Sequence, residues 1–131
     1  MSSLMDRFYE RSSHLHKLLN IDPAEAVRQA RQLDIDVPNR LNMIGLQAAI
    51  LVNGGALTRQ QDAIKEGIGL LRELLSKVQS VEIAYNLANG LVALISFPLE
   101  NETWLDYQER TKGDRAEARQ HFWRVAQDTQ E

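Results

Sequence analysis

The sequence predicts an all-α protein, an α-solenoid of antiparallel helix pairs. Three observations carry this. The stretch from Val81 to Ile95 reads Val-Glu-Ile-Ala-Tyr-Asn-Leu-Ala-Asn-Gly-Leu-Val-Ala-Leu-Ile, which is apolar around most of a helical circumference. The chain is sparse in β-branched residues and holds only three prolines and seven glycines in 131 residues, a balance that favours helix over sheet. Its other amphipathic segments are joined by short connections, which set successive helices antiparallel. A succession of such pairs is how α-solenoids are built. The length suits one domain over 1–131, with pairs at about 3–33, 38–78 and 81–128.

Each element has its own signal. Ser3 to Leu19 places Leu4, Phe8, Leu15, Leu18 and Leu19 on one side of a first helix, with Ser2 or Ser3 as its cap. Asp22-Pro23-Ala24-Glu25 is a helix start: a capping Asp, Pro in the first turn, then an acidic residue. The second helix runs to about Leu33 on a narrow face of Ala26, Val27, Ala30 and Leu33. After the linker Asp34 to Pro38, with Asn39 as cap, a third helix spans about Pro38 to Asn53. Gly54-Gly55 is read as its C-terminal stop. Thr58 is expected to cap the fourth helix, about Arg59 to Val78, whose stripe is Ala63, Ile64, Ile68, Leu71, Leu74 and Leu75. Gly67 and Gly69 within it each cost about 1 kcal/mol relative to Ala, so both are expected at close helix contacts. Ser80 starts the fifth helix. Ile83, Leu87, Leu91, Leu94 and Ile95 form its stripe, Ala88 and Gly90 admit a close neighbour, and Pro98 stops it. The stretch from Phe97 to Gly113 reads as an insertion, with a short helix capped by Thr103 and a turn at Lys112-Gly113-Asp114. A last helix runs from Asp114 to about Gln127.

Several spacings resemble the tetratricopeptide repeat. The second helix carries Ala26, Ala30, Leu33 and Pro38; the fourth carries Ala63, Gly67 and Leu70; the last carries Ala118, Phe122 and Val125. The segment Tyr85-Asn86-Leu87-Ala88-Asn89-Gly90-Leu91 looks like the first helix of such a repeat. The repeats are degenerate: Gly67 replaces a bulky residue, and the first helix shows little of the pattern. The resemblance implies a right-handed superhelix whose first helices line a concave groove for a peptide or another protein. It also implies that Asn86 and Asn89 face that groove.

Those two amides are the leading candidates for binding. A helix buried on most sides should carry two carboxamides only where they face a groove or a partner. An Asn can accept from and donate to an extended backbone at once. Asn42 and Asn53 fall on one face of the third helix and are expected to act the same way. Tyr85, Trp104 and Tyr107 are further candidates for gripping a partner. For Trp104, Leu105 and Tyr107 the weightier expectation is that they fold back and fill the core of the last pair. No Lys or Arg lies between Val81 and Leu99, so a basic clamp for a C-terminal carboxylate is not expected.

The chain has no cysteine, which rules out disulfides, thiolate catalysis and Cys-based zinc sites. His14 and His16, two apart on a helix, point away from each other and make a poor metal site, so no metal or cofactor is expected. The 15 Lys plus Arg against 18 Asp plus Glu, net −3, argue against a broad nucleic-acid surface. Arg110, Lys112, Arg115, Arg119 and Arg124 are interspersed with acids and read as a solvated helix face. No basic-then-apolar leader opens the chain and no apolar run approaches a membrane span, so a cytoplasmic protein is expected. The expected function is a protein- or peptide-binding scaffold that performs no chemistry. Two alternatives stand beside it. One is self-association through the last helix, whose Phe122, Trp123, Val125 and Ala126 are apolar for a solenoid cap. The other is a helical RNA-cleaving enzyme, since the Arg115-to-His121 spacing resembles that of a family of helical RNA-cleaving domains, although Ala116 stands where that family has a polar residue.

Overall fold

A computed structural model describes residues 4–35 and 40–128. The caps expected at Ser2 or Ser3 and at Asn39, the residue Pro38 and the side chain of Leu4 lie outside the described residues. Among those residues the chain is six helices with no strand: α1 (Leu4–Ile21), α2 (Pro23–Arg31), α3 (Arg40–Thr58), α4 (Gln61–Lys77), α5 (Val81–Ile95) and α6 (Trp104–Asp128). Each helix packs on its neighbours in sequence, and α3 also packs on α1 and α5. Contacts fix the directions. His14 bonds Gln29 and Arg11 reaches Asp34, so α1 and α2 run antiparallel. Gly55 faces Ala63 while Gly45 faces Leu74, so α3 and α4 do too. Tyr107 bonds the carbonyl of Ile95 while Tyr85 meets Phe122, which sets α6 antiparallel to α5.

Capping follows the sequence at three starts. The Asp22 carboxylate accepts from the Glu25 N–H at 3.2 Å, and Pro23 needs no partner for a missing N–H. The Ser80 hydroxyl accepts from the Ile83 N–H at 3.3 Å. The Thr103 hydroxyl accepts from the Asp106 N–H at 3.1 Å.

Two expected helix ends are not ends. Gly54-Gly55 does not stop α3, which continues to Thr58. Both glycines are buried because other helices occupy the space of their missing side chains. A Cβ on Gly54 would fall 2.6 Å from Val27 Cγ2, and one on Gly55 would fall 2.9 Å from Ile64 Cγ1. Close approach, not left-handed backbone, is what these glycines supply. The left-handed residue is Arg59 (φ 57°), and the Gln60 N–H closes the turn onto the Gly55 carbonyl at 2.8 Å. Thr58 therefore does not cap α4; its hydroxyl donates back to the Gly54 carbonyl at 2.7 Å, and Gln60 takes the cap position. Extended in this way, α3 is long and apolar enough to cross a membrane by length and composition, against the expectation of no such run; half of that span is buried against other helices.

The turn expected at Lys112-Gly113-Asp114 is absent as well, since α6 is unbroken across it. Side chains bridge the expected gap. Thr111 is buried and donates to the Tyr107 carbonyl, while Arg115 reaches back to the Thr111 hydroxyl at 3.1 Å and the Gln108 carbonyl at 2.7 Å. The supposed insertion is thus a short loop plus the first turns of α6. Glu102 accepts two bonds from Arg110, whose guanidinium also bonds the Phe97 carbonyl, and this ties the loop to the helix. The Arg110 bond holds the Glu102 carboxyl below the usual range.

Two buried clusters meet along α3 and α4. Leu15, Ala26, Val27, Ala30, Leu46, Ile50, Leu51 and Ala63 form the first. Ala48, Val52, Ile64, Ile68, Leu71, Leu87, Leu91, Phe97 and Ala118 form the second. Gly90 admits the close neighbour expected of it: a Cβ there would sit 3.0 Å from Ile68 Cγ1.

On the outer side, Arg72 of α4 donates two bonds to Glu117 of α6, which also bonds His121 at 3.2 Å. The Arg72 bond holds the Glu117 carboxyl below its ordinary 4.5. A depressed carboxyl stabilises the fold above its unfolded pKa and loses that contribution as the pH falls through its folded value. Glu117→Gln is therefore expected to cost about 0.5 kcal/mol near neutral pH, the size of a half-exposed pair. Urea unfolding of both proteins should show the difference closing as the pH drops well below 4.5.

Candidate functional site

Helices α1, α3 and α5, with Leu71 of α4, line a hollow of about 260 Å³. Its apolar lining includes Phe8, Leu41, Leu46, Ala49 and Ile83, and its polar lining is Ser12, His16, Asn42, Asn53, Ser80, Glu82 and Asn86. The two amides on α3 lie eleven residues apart, about three helical turns, so they recur on one face. Asn86 reaches the same space from α5. Asn53 and Asn86 are half-buried and Asn42 is exposed. None of the three carboxamides is hydrogen-bonded to another described residue. A half-buried amide without a partner has donors and an acceptor to offer a ligand.

Among the described residues the lining includes no Lys or Arg. Glu82 supplies its only carboxylate among the described residues, and no ion pair joins Glu82 to another of them. The His16 Nδ1 lies 2.7 Å from the Ser12 carbonyl. A carbonyl only accepts, so Nδ1 carries the proton in that bond.

Three of the expected binding residues, Asn42, Asn53 and Asn86, are thus brought together. The others are placed elsewhere. Asn89, expected to share a face with Asn86, is half-buried and does not line the hollow. Tyr85 lies toward α6, where its ring meets Phe122 edge-on at 6.1 Å. Trp104 stacks on Tyr107 with ring centroids 5.6 Å apart, beside a separate shallow depression near Pro98. The expectation that Trp104 and Leu105 fill the core is overturned: they are 68% and 75% exposed. They fall on the first turns of a long α6 that projects past its partner, not on a strap folded across it. Only Tyr107 turns inward, donating to the Ile95 carbonyl at 2.5 Å.

Ser12, His16 and Glu82 are functional candidates that the sequence did not single out. Ser12 and His16 are four apart on α1, a same-face spacing that was available, but His16 invites attention only as a metal ligand beside His14. His14 instead points to Gln29 of α2 at 2.8 Å. Among the described residues no group of three His, Asp or Glu is placed to hold a metal. Arg115 is engaged by Thr111 and Gln108, and His121 by Glu117, so each is bonded along its own helix.

Compared with protein-family models, with curated proteins and with solved structures, the chain matches none.

Proposed function

We propose that the chain is a tetratricopeptide-like solenoid of three helix pairs that binds an extended segment of another protein in the α1–α3–α5 hollow. The observation that carries this is the convergence there of three carboxamides with no partner among the described residues, over an apolar floor. The packing order supports it: α3 packs on both α1 and α5 while each helix packs on its neighbours in sequence, the pattern expected of successive repeats. Backbone groups of an extended ligand would bond the amides, with apolar side chains set against Leu46, Ala49 and Ile83. No chemistry and no cofactor are needed for this role. The test is to titrate the isotopically labelled chain with peptides selected from a random library. The side-chain amide signals of Asn53 and Asn86 should shift most. Selected peptides that move only signals around Trp104 would contradict the assignment.

A second reading, self-association through α6, is favoured by one observation. Trp123 is 66% exposed on the helix expected to cap the stack. Light scattering at high concentration should then show a dimer that Trp123→Glu converts to monomer. A wild-type monomer throughout would remove this reading.

A further inference from the structure

Resting on the groove reading above, we infer that the segment it takes presents a Lys or Arg side chain, held by Glu82 and His16. Among the described residues two ionisable groups line the hollow, Glu82 and His16, and both offer acceptors. Glu82 is acceptor-only when ionised, and no described cation pairs with it. In neutral His16, Nδ1 is committed to the Ser12 carbonyl at 2.7 Å, so Nε2 keeps its lone pair. With Nδ1 turned back onto its own helix, Nε2 is the ring nitrogen left for a ligand. Lys17 beside His16, Arg40 at the start of α3 and Lys77, which pairs with Glu73, do not line the space. A ligand carboxylate would meet Glu82 with no counter-charge, and like charges at a contact select against it. An ammonium or guanidinium group supplies the donors that either acceptor requires.

The test uses peptides selected from a random library against the full chain, measured by fluorescence polarisation. The selected peptides should share a Lys or Arg at one fixed position. Replacing it by Gln should weaken binding roughly threefold to fivefold, the size of a partly exposed ion pair. Glu82→Gln should cause the same loss and erase the distinction between the Arg and Gln peptides. Glu82→Lys should reverse the preference toward an acidic residue at that position. Glu82 is exposed in the first turn of α5, and circular dichroism checks that these variants fold as the wild type does. Selected peptides that depend on Asn53 and Asn86 but ignore both the basic residue and Glu82→Gln would overturn the inference and leave the groove standing. Peptides insensitive to all of these residues would overturn both.

Discussion

Gly67→Ala is expected to destabilise the protein by about 2 kcal/mol, although alanine is the better helix former. A Cβ at Gly67 would fall 2.7 Å from Val52 Cγ2, 2.9 Å from the Ala48 carbonyl oxygen and 3.2 Å from the Val52 nitrogen. Two of these three neighbours are backbone of α3, so no side-chain rotation relieves the contact. The two helices would have to separate, and α3 also carries contacts to α1, α2 and α5. Gly69, two residues on, gives the opposite result. It is exposed, and a Cβ there would meet nothing within 4 Å. Gly69→Ala should therefore stabilise the fold by up to about 1 kcal/mol through helix propensity alone. Urea unfolding of the two variants should move the midpoint in opposite directions. Equal shifts would mean that α3 and α4 are not packed as described.

Phe97→Ala should cost about 3 kcal/mol, the low end for a buried phenylalanine. Its ring is 8% exposed and belongs to the cluster shared by α3, α4, α5 and α6. The Arg59 guanidinium carbon lies 4.5 Å above the ring centroid, which adds a cation–π contact of about 0.5–1 kcal/mol. That contact joins the α3–α4 connection to the α5–α6 connection and helps to hold Arg59 in its left-handed backbone. Arg59→Ala made in both backgrounds isolates the coupling. A loss near zero on Phe97→Ala would place the ring in solvent and detach the loop from the core.

The helical class and the α2, α5 and α6 caps were legible because they depend on local chemistry. Pro after a capping Asp, Ser80 before an apolar run, and Thr103 three residues before an orphan N–H each act within one turn. The interruptions were not legible, and the cause is tertiary. Gly54-Gly55 carries the same local signal whether it ends a helix or lets Val27 and Ile64 approach one. Lys112-Gly113-Asp114 would favour a turn were Thr111 and Arg115 not bonded across it. The amides divide in the same way. Periodicity on α3 put Asn42 and Asn53 on one face, and both line the hollow. On α5, three-residue spacing leaves a 60° rotation between side chains, enough to take Asn89 out of the space that Asn86 enters. His16 and Glu82 gained meaning only when α1 and α5 were set on either side of α3.

The affinity of one library-selected peptide for the wild type and for Asn53→Ala/Asn86→Ala tests most directly whether the hollow is the binding site. Two hydrogen bonds lost at about 1 kcal/mol each should raise Kd by roughly tenfold or more, with the unfolding midpoint almost unmoved. An unchanged Kd would mean that the hollow between α1, α3 and α5 is not where the chain meets its partner.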